Sequence, residues 1–182
     1  MKDGFLLAAT ATPEIKIADP AYNADKLIKY MAQAKEMGVS LLVFPELSVT
    51  GYTCGDLFAA RTLADAAMEA LARIRAASKG FGALVFVGAP LRHHGKLYNC
   101  AVAVCGGELL GVVPKKHLPN YGEFYEKRNF TAAPDGVDRI SLLDEDVPFG
   151  TGLIFRASNM PEFSVAAEIC EDLWVVTPPS LS

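Results

Sequence analysis

The sequence predicts an α/β domain built on a mixed sheet. Short apolar runs alternate with two longer segments whose apolar residues recur at helical spacing, as in layered α/β proteins. In the middle of the chain, glycine-containing turns join the apolar runs instead, a pattern typical of antiparallel strands. Apolar residues make up 51% of the 182 residues and charged residues 21%. This composition is typical of one globular domain with a substantial core.

The first half of the chain predicts a β-α-β unit followed by a second helix and a third strand. The apolar runs that indicate strands span residues 5–11, 39–44 and 83–89. The first helix is predicted at residues 21–37, because Leu27 and Met31 share one helical face and Gly38 is a natural stop. The second amphipathic helix ends near Gly80.

The second half predicts hairpins and one long loop. Its strands are expected at residues 97–104, 108–113, 152–156 and 163–169. Residues 117–134 are polar and aromatic without a clean period, which indicates a long structured loop with a function. Residues 135–147 are acidic, and we expect them to form a surface excursion.

Charge and cysteine content exclude several classes of protein. The net charge of −4 and the pI near 5.4 offer no basic surface for nucleic acid or for an anionic membrane. No apolar run approaches the ~18 residues that cross a bilayer, and Asp3 argues against a signal peptide. The four cysteines form no CxxC pair and have no histidine at ligand spacing, so neither disulfides nor a metal site are predicted. We therefore expect a cytoplasmic protein.

Three reactive side chains each follow directly on a predicted strand. They are Glu46, Lys115 and Cys170. Loops at strand ends converge over a rigid sheet in open α/β folds, so these side chains are expected to meet. A carboxylate, an ammonium group and a thiol then form a candidate base, electrostatic stabiliser and nucleophile, which is the chemistry of acyl transfer through a thioester.

Each of these residues, taken alone, could have a purely structural role. Only their equivalent positions, at the ends of three predicted strands, favour an active site. Cys170 alone could be a packing residue, Glu46 could cap a helix, and Lys116 competes with Lys115 for the same role. His117 could form a dyad with the cysteine if it lay within hydrogen-bond reach.

Two other kinds of site are not predicted. His93 and His94 lie in an expected turn beside charged residues, which indicates solvated surface. No glycine-rich phosphate loop precedes a helix, so no nucleotide site is expected within these residues.

The motifs around the three strand ends resemble those of a known family. Phe-Pro-Glu, Lys-Lys-His-Leu-Pro and Ile-Cys-Glu-Asp, at residues 44–46, 115–119 and 169–172, resemble the Glu-Lys-Cys motifs of the nitrilase superfamily of carbon–nitrogen hydrolases. Longer strings resemble the amidase domain of glutamine-dependent NAD⁺ synthetases, in that family's order over nearly the whole chain. They lie at residues 18–23, 47–58, 118–130 and 169–180. The resemblance implies a four-layer α-β-β-α sandwich with mixed sheets.

The same resemblance implies hydrolysis of L-glutamine to glutamate and ammonia by one domain at residues 1–182. By motif, Cys170 is the nucleophile, Glu46 the general base and Lys115 the stabiliser of the oxyanion and the thiolate. A synthetase domain of the same full-length chain would use the ammonia, with ATP and magnesium, to amidate nicotinic acid adenine dinucleotide. No cofactor is implied for the amidase domain itself.

Other residues and partners are implied in the same way. Glu123, eight residues past Lys115, falls where many relatives keep a second structural glutamate. The residues expected to line the glutamine pocket or the ammonia exit are Tyr52, Tyr121, Glu171 and Trp174. The implied partners are L-glutamine, the synthetase domain and further copies of the chain in a homo-oligomer.

The C-terminus departs from the family pattern. A complete domain of this family continues well past the cysteine strand, whereas twelve residues follow Cys170 here, without a Ser-Gly-Gly-x-Asp-Ser ATP loop. We therefore expect an incomplete domain that aggregates and lacks glutaminase activity when residues 1–182 are expressed alone. Two alternatives stay open at this point: a stand-alone nitrilase-type amidase for another small amide, and a catalytically silent oligomerisation module.

Overall fold

The computed structural model describes residues 4–181, and its main element is a seven-stranded mixed sheet. Its strands are β1 (Ala8–Thr10), β2 (Leu41–Val43), β3 (Leu84–His93), β4 (Lys96–Cys105), β5 (Glu108–Pro114), β6 (Val137–Leu142) and β7 (Glu145–Gly150). They are ordered β1-β2-β3-β4-β5-β7-β6 across the sheet. Strands β1 to β3 run parallel, β4 is antiparallel to both β3 and β5, and β7 joins β5 in parallel. The predicted mixed sheet is confirmed.

Two helices cover one face of this sheet: α1 (Pro20–Glu36) and α2 (Arg61–Ala77). The Asp19 carboxylate accepts a hydrogen bond from the Tyr22 N–H at 3.1 Å and so caps α1. Leu27 of α1 and Leu71 of α2 share the main core with Val85 of β3. In the part of the chain that the structure describes, neither helix is long and apolar enough to cross a membrane.

A small second sheet lies over the opposite face. It consists of β8 (Phe155–Ala157) and β9 (Met160–Val165), which pair antiparallel. The Phe155 ring packs edge to face on Phe86 of β3, with 5.4 Å between centroids. A Cβ at Gly111 of β5 would lie 2.9 Å from the Leu153 side chain, so glycine allows this close approach. The helix layer, the large sheet and the small sheet correspond to three of the four layers of the predicted α-β-β-α sandwich, and residues 4–181 contain no second helix layer.

The surface excursion expected at residues 135–147 is wrong. These residues form β6 and the first half of β7, which extend the large sheet beyond β5. Ile140, Leu142 and Val147 are buried, while acidic residues between them face outward. The acidic composition concealed an alternation of period two that is typical of a strand with one buried face.

The buried strand expected at residues 163–169 is only partly correct. Strand β9 ends at Val165, is half-buried or exposed along its length, and pairs with β8 alone among the described residues. Residues 166–169 belong to no strand, and a 3₁₀ helix (Cys170–Leu173) follows. Ala166 and Ala167 have little preference for strands, which accounts for the early end.

The turn between β3 and β4 lies at His94 and Gly95, as predicted, but His93 is buried rather than solvated. Its ring packs against Phe149 of β7, with 4.7 Å between centroids. The surface assignment is correct for His94, whose side chain is 73% exposed, but wrong for His93. It was based on charged neighbours in the sequence, which do not reveal that β6 brings Asp138 against His93.

Candidate active site

A glycine in β3 fixes the path of the chain at Glu46. A Cβ at Gly88 would lie 2.3 Å from the Leu47 nitrogen and 2.5 Å from the Pro45 oxygen, closer than backbone atoms tolerate. Leu47 adopts a left-handed φ of 50°, and the Val49 N–H donates to the Gly88 oxygen at 3.0 Å. The loop after β2 therefore lies directly on β3, and this contact directs the Glu46 side chain.

Lys115 follows β5 directly, and its side chain is fully buried. Its Nζ donates to Oε1 of Glu46 and to Oε1 of Glu126, both at 2.7 Å. Its backbone N–H donates to the Asn99 carbonyl of β4 at 2.8 Å, and the Asn99 amide donates to Oε1 of Glu46. An unpaired buried ammonium would cost several kcal/mol, so the two carboxylates are what make this lysine tolerable.

The second glutamate beside the lysine is Glu126, not Glu123. Glu126 is 4% exposed and also accepts a hydrogen bond from the Tyr52 hydroxyl at 2.8 Å. Glu123 is exposed. Glu126 opens a 3₁₀ turn that directs its side chain inward from the long loop, and a spacing counted along the sequence could not reveal that path.

Burial and pairing control the charges of this network. Burial raises the pKa of Glu126, although hydrogen bonds from Lys115 and Tyr52 oppose the change. Burial lowers the pKa of Lys115, but hydrogen bonds to the two glutamates outweigh it and the pKa lies above its ordinary value. Burial and the hydrogen bond to Glu126 raise the pKa of Tyr52. At neutral pH, the lysine is therefore charged and the tyrosine is neutral.

Cys170 has a backbone conformation that is uncommon for a residue with a side chain. Its φ is 50°, in the left-handed region, and its side chain is exposed. Such conformations persist where the surrounding structure imposes them, often at functional sites. Burial raises the pKa of the Cys170 thiol; Lys115 lowers it, and the carboxylates of Glu46 and Glu126 raise it. The thiol is therefore protonated at neutral pH.

Asp172 holds the cysteine segment against the end of β5. Its buried carboxylate accepts hydrogen bonds from the backbone N–H groups of Ile169, Lys116 and His117, at 3.2, 3.1 and 2.7 Å. Burial nevertheless raises the pKa of Asp172. The aspartate belongs to the Ile-Cys-Glu-Asp motif, but nothing in the sequence distinguished it from Glu171 as a structural residue.

A cleft of about 360 Å³ lies between the large sheet and the segment that ends at Cys170. Glu46 and Cys170 both line it, together with apolar side chains that include Phe44 and Phe86. The structure thus brings the predicted base to the same cleft as the predicted nucleophile. Lys115 lies behind Glu46 and acts electrostatically on the thiol.

The residues expected to line the pocket lie outside this cleft. Tyr52 lies behind it and contacts Glu126. The Tyr121 hydroxyl donates to Oε2 of Glu171 at 2.8 Å near the surface, and Trp174 is 75% exposed. A role in substrate binding for these residues stays a prediction.

Comparison with known proteins shows the family of this chain. The carbon–nitrogen hydrolase family model matches residues 7–178, and the chain belongs to that family. It is 41% identical over 177 residues to the glutamine-dependent NAD(+) synthetase of Mycobacterium tuberculosis, covering 97% of this chain and 26% of the relative. It is 32% identical over 175 residues to the same-named protein of Xylella fastidiosa, covering 96% and 29%. The chain therefore spans less than a third of the length of these relatives.

Solved structures show the same fold. A crystal structure of a glutamine-dependent NAD(+) synthetase from Cytophaga hutchinsonii matches with a TM-score of 0.81 at 32% identity, covering 89% of this chain and 27% of that one. A mutant of an amidase from Nesterenkonia, of the nitrilase superfamily, matches with a TM-score of 0.56 at 26% identity, covering 79% and 52%. The predicted nitrilase-like fold is confirmed.

Proposed function

We propose that this chain hydrolyses L-glutamine to glutamate and ammonia, as the glutaminase part of a glutamine-dependent NAD⁺ synthetase. The observation that carries the proposal is the ion pair between buried Lys115 and half-buried Glu46 beside the Cys170 thiol, at a cleft that Glu46 and Cys170 share. The names of the relatives at 41% and 32% identity support glutamine as the amide.

The first half of the proposed reaction forms a thioester. Cys170 Sγ attacks the carboxamide carbon of glutamine while its proton passes to the Glu46 carboxylate. The raised thiol pKa makes such a base necessary, because little thiolate is present at rest. Lys115 stabilises the oxyanion of the tetrahedral intermediate, and the backbone N–H of Glu171 is the second donor. The C–N bond then breaks, and ammonia leaves with the proton from Glu46.

The second half hydrolyses the thioester. Glu46 accepts a proton from water as the water oxygen attacks the thioester carbon. The C–S bond of the second tetrahedral intermediate breaks, the proton returns to the Cys170 sulfur, and glutamate leaves. Each cycle consumes one glutamine and one water. Tyr52 and Glu126 act as positioning residues in this scheme, because they contact Lys115 or its partner rather than the cleft.

The proposal includes a partner for the ammonia. A synthetase domain of the same full-length chain would use it to make NAD⁺, as the names of the relatives suggest. The family resemblance implies that this domain takes ATP and magnesium and amidates nicotinic acid adenine dinucleotide. ATP and magnesium are assigned to that domain, not to residues 1–182.

The test compares amides in a purified protein that contains this chain and the synthetase domain. We expect kcat/KM for release of ammonia from L-glutamine to exceed that from L-asparagine or acetamide by at least about 10²-fold, because a site that pairs polar groups rejects amides that cannot fill it. Preference for acetamide would instead indicate a stand-alone amidase. Hydrolysis of none of the three would indicate a catalytically silent module.

The surroundings of the thiol predict opposite shifts in its reactivity. Glu46→Gln should move the pH profile of Cys170 alkylation by iodoacetamide to lower pH, because it removes a carboxylate that raises the thiol pKa. Lys115→Met should move it to higher pH, because the lysine lowers that pKa. Mass spectrometry of the cysteine peptide measures both rates, with Glu123→Gln as the matched control. Shifts of the same sign in the two variants would contradict the opposite effects assigned to Glu46 and Lys115 on the thiol pKa.

A further inference from the structure

A second cluster of reactive side chains lies outside the active site, where the β3–β4 turn meets β6. His93 Nε2 is 2.9 Å from Oδ2 of Asp138, and His94 Nε2 is 3.2 Å from the same oxygen. One possible ligand atom from each residue lies within 4.8 Å of the other two. Two imidazoles and a carboxylate thus converge from two hairpins that are distant in sequence.

We propose that His93, His94 and Asp138 bind a divalent transition-metal ion of the Zn²⁺ class. Imidazole nitrogen and carboxylate oxygen are ligands that Zn²⁺ takes at about 2.0–2.2 Å. Two ligand atoms on a tetrahedral ion at that distance lie about 3.4 Å apart, so the cluster needs only small side-chain movements to close on one. Water can take the fourth position, because the His94 and Asp138 side chains are 73% and 51% exposed.

Two of the three ligands are already fixed in place. The His93 side chain is 8% exposed, and its ring is held against Phe149. The Arg139 N–H donates to Oδ1 of Asp138 at 2.8 Å, which leaves Oδ2 directed at the two rings. Such a hydrogen bond to the outer atom of a ligating carboxylate is typical of metal sites.

His94 is the adjustable ligand. Its ring lies 3.9 Å from the His93 ring, and its backbone has a left-handed φ of 47°. The tight turn therefore places two successive histidines on the same side, although successive side chains of a regular strand point to opposite faces.

Metal binding is expected to link two hairpins through the bound ion. β6 is at the edge of the sheet and pairs only with β7 among residues 4–181. An ion held by His93, His94 and Asp138 would join this edge strand to the β3–β4 turn. A ligand that binds the folded state alone raises the melting temperature by mass action.

The test is calorimetric titration of Zn²⁺ into the full-length protein that carries this chain, in a Cys170→Ala background so that the exposed thiol does not bind the ion. His94→Asn and Asp138→Asn should each weaken one binding event at least about tenfold. Asparagine suits the left-handed backbone at residue 94, and both positions are exposed, so the metal-free melting temperature should hardly change.

Two matched controls complete the titration: His117→Gln, at the third histidine of the sequence, and Asp144→Asn, in the exposed β6–β7 turn. Both should bind Zn²⁺ as the parent does, and Zn²⁺ should raise the melting temperature of the parent and of the controls more than that of the two cluster variants. Equal Zn²⁺ affinity in the parent and in the cluster variants, or no binding in any of them, would overturn the proposal. Neither outcome depends on glutaminase activity.

Discussion

Replacing Cys170 by alanine should abolish the hydrolysis of glutamine and leave the protein folded. Removing a catalytic nucleophile typically costs about 10⁵- to 10⁶-fold in kcat, because no covalent intermediate can form. The fold should survive, since the side chain is exposed and contributes little to the core. Glutamate release and the melting temperature of the full-length protein measure the two effects separately.

The matched control for this variant is Cys105→Ala. Cys105 is a half-buried cysteine at the end of β4, outside the cleft that contains Glu46. Its replacement should leave turnover within a few-fold of the parent. Substantial activity in Cys170→Ala, or a comparable loss in Cys105→Ala, would show that the nucleophile has been assigned to the wrong residue.

Replacing Lys115 by methionine should reduce turnover by about 10³-fold or more, because the oxyanion loses its cationic donor and the base loses its partner. It should also lower the free energy of unfolding by about 3–5 kcal/mol, because Glu46 and Glu126 are left without the cation between them. Adding Glu126→Gln to this variant should recover part of the stability, since one buried charge is removed, but none of the turnover.

Lys116→Met is the control that decides between the neighbouring lysines. Lys116 Nζ pairs with the exposed Asp135 at the surface, whereas Lys115 points into the protein. We expect less than a tenfold loss of turnover and little change in the denaturant midpoint, because exposed ion pairs contribute little. Equal losses in the two variants, or the reverse order, would contradict the assignment.

The catalytic candidates could be predicted because each follows directly on an apolar run. The end of a strand constrains where the next side chain can lie, so Glu46 and Lys115 could be expected at one edge of a sheet before any contact was known. Cys170 was found for a partly wrong reason, since its strand ends at Val165. The segment after that strand still leads it to the cleft that Glu46 lines.

The supporting residues could not be predicted because their positions depend on tertiary contacts. Glu126 lies in a loop without a period, and its orientation follows from contacts with Tyr52 and Lys115 that are remote in sequence. Asn99 gave a weak signal, as one polar residue in the apolar run of β4 that would need a buried partner. That partner, Glu46, is 53 residues away.

The second cluster was missed for a related reason. Alternating buried residues in β6 and β7 were hidden by the acids between them, so Asp138 was not expected near the β3–β4 turn. Without that neighbour, the sequence predicts that both histidines lie at the surface. Composition outweighed periodicity in that segment, and the structure shows that periodicity was the better guide.

The central claim, that Cys170 is the nucleophile for glutamine, is tested most directly by covalent trapping. The full-length protein is treated with a glutamine analogue that carries an electrophilic carbon in place of the amide, and the adduct is mapped by mass spectrometry. One adduct is expected per chain, on Cys170, and excess glutamine should suppress it. Cys54, Cys100 and Cys105, all at least partly buried, should stay unmodified. An adduct on any of those three, or labelling of Cys170 that glutamine does not suppress, would contradict the account.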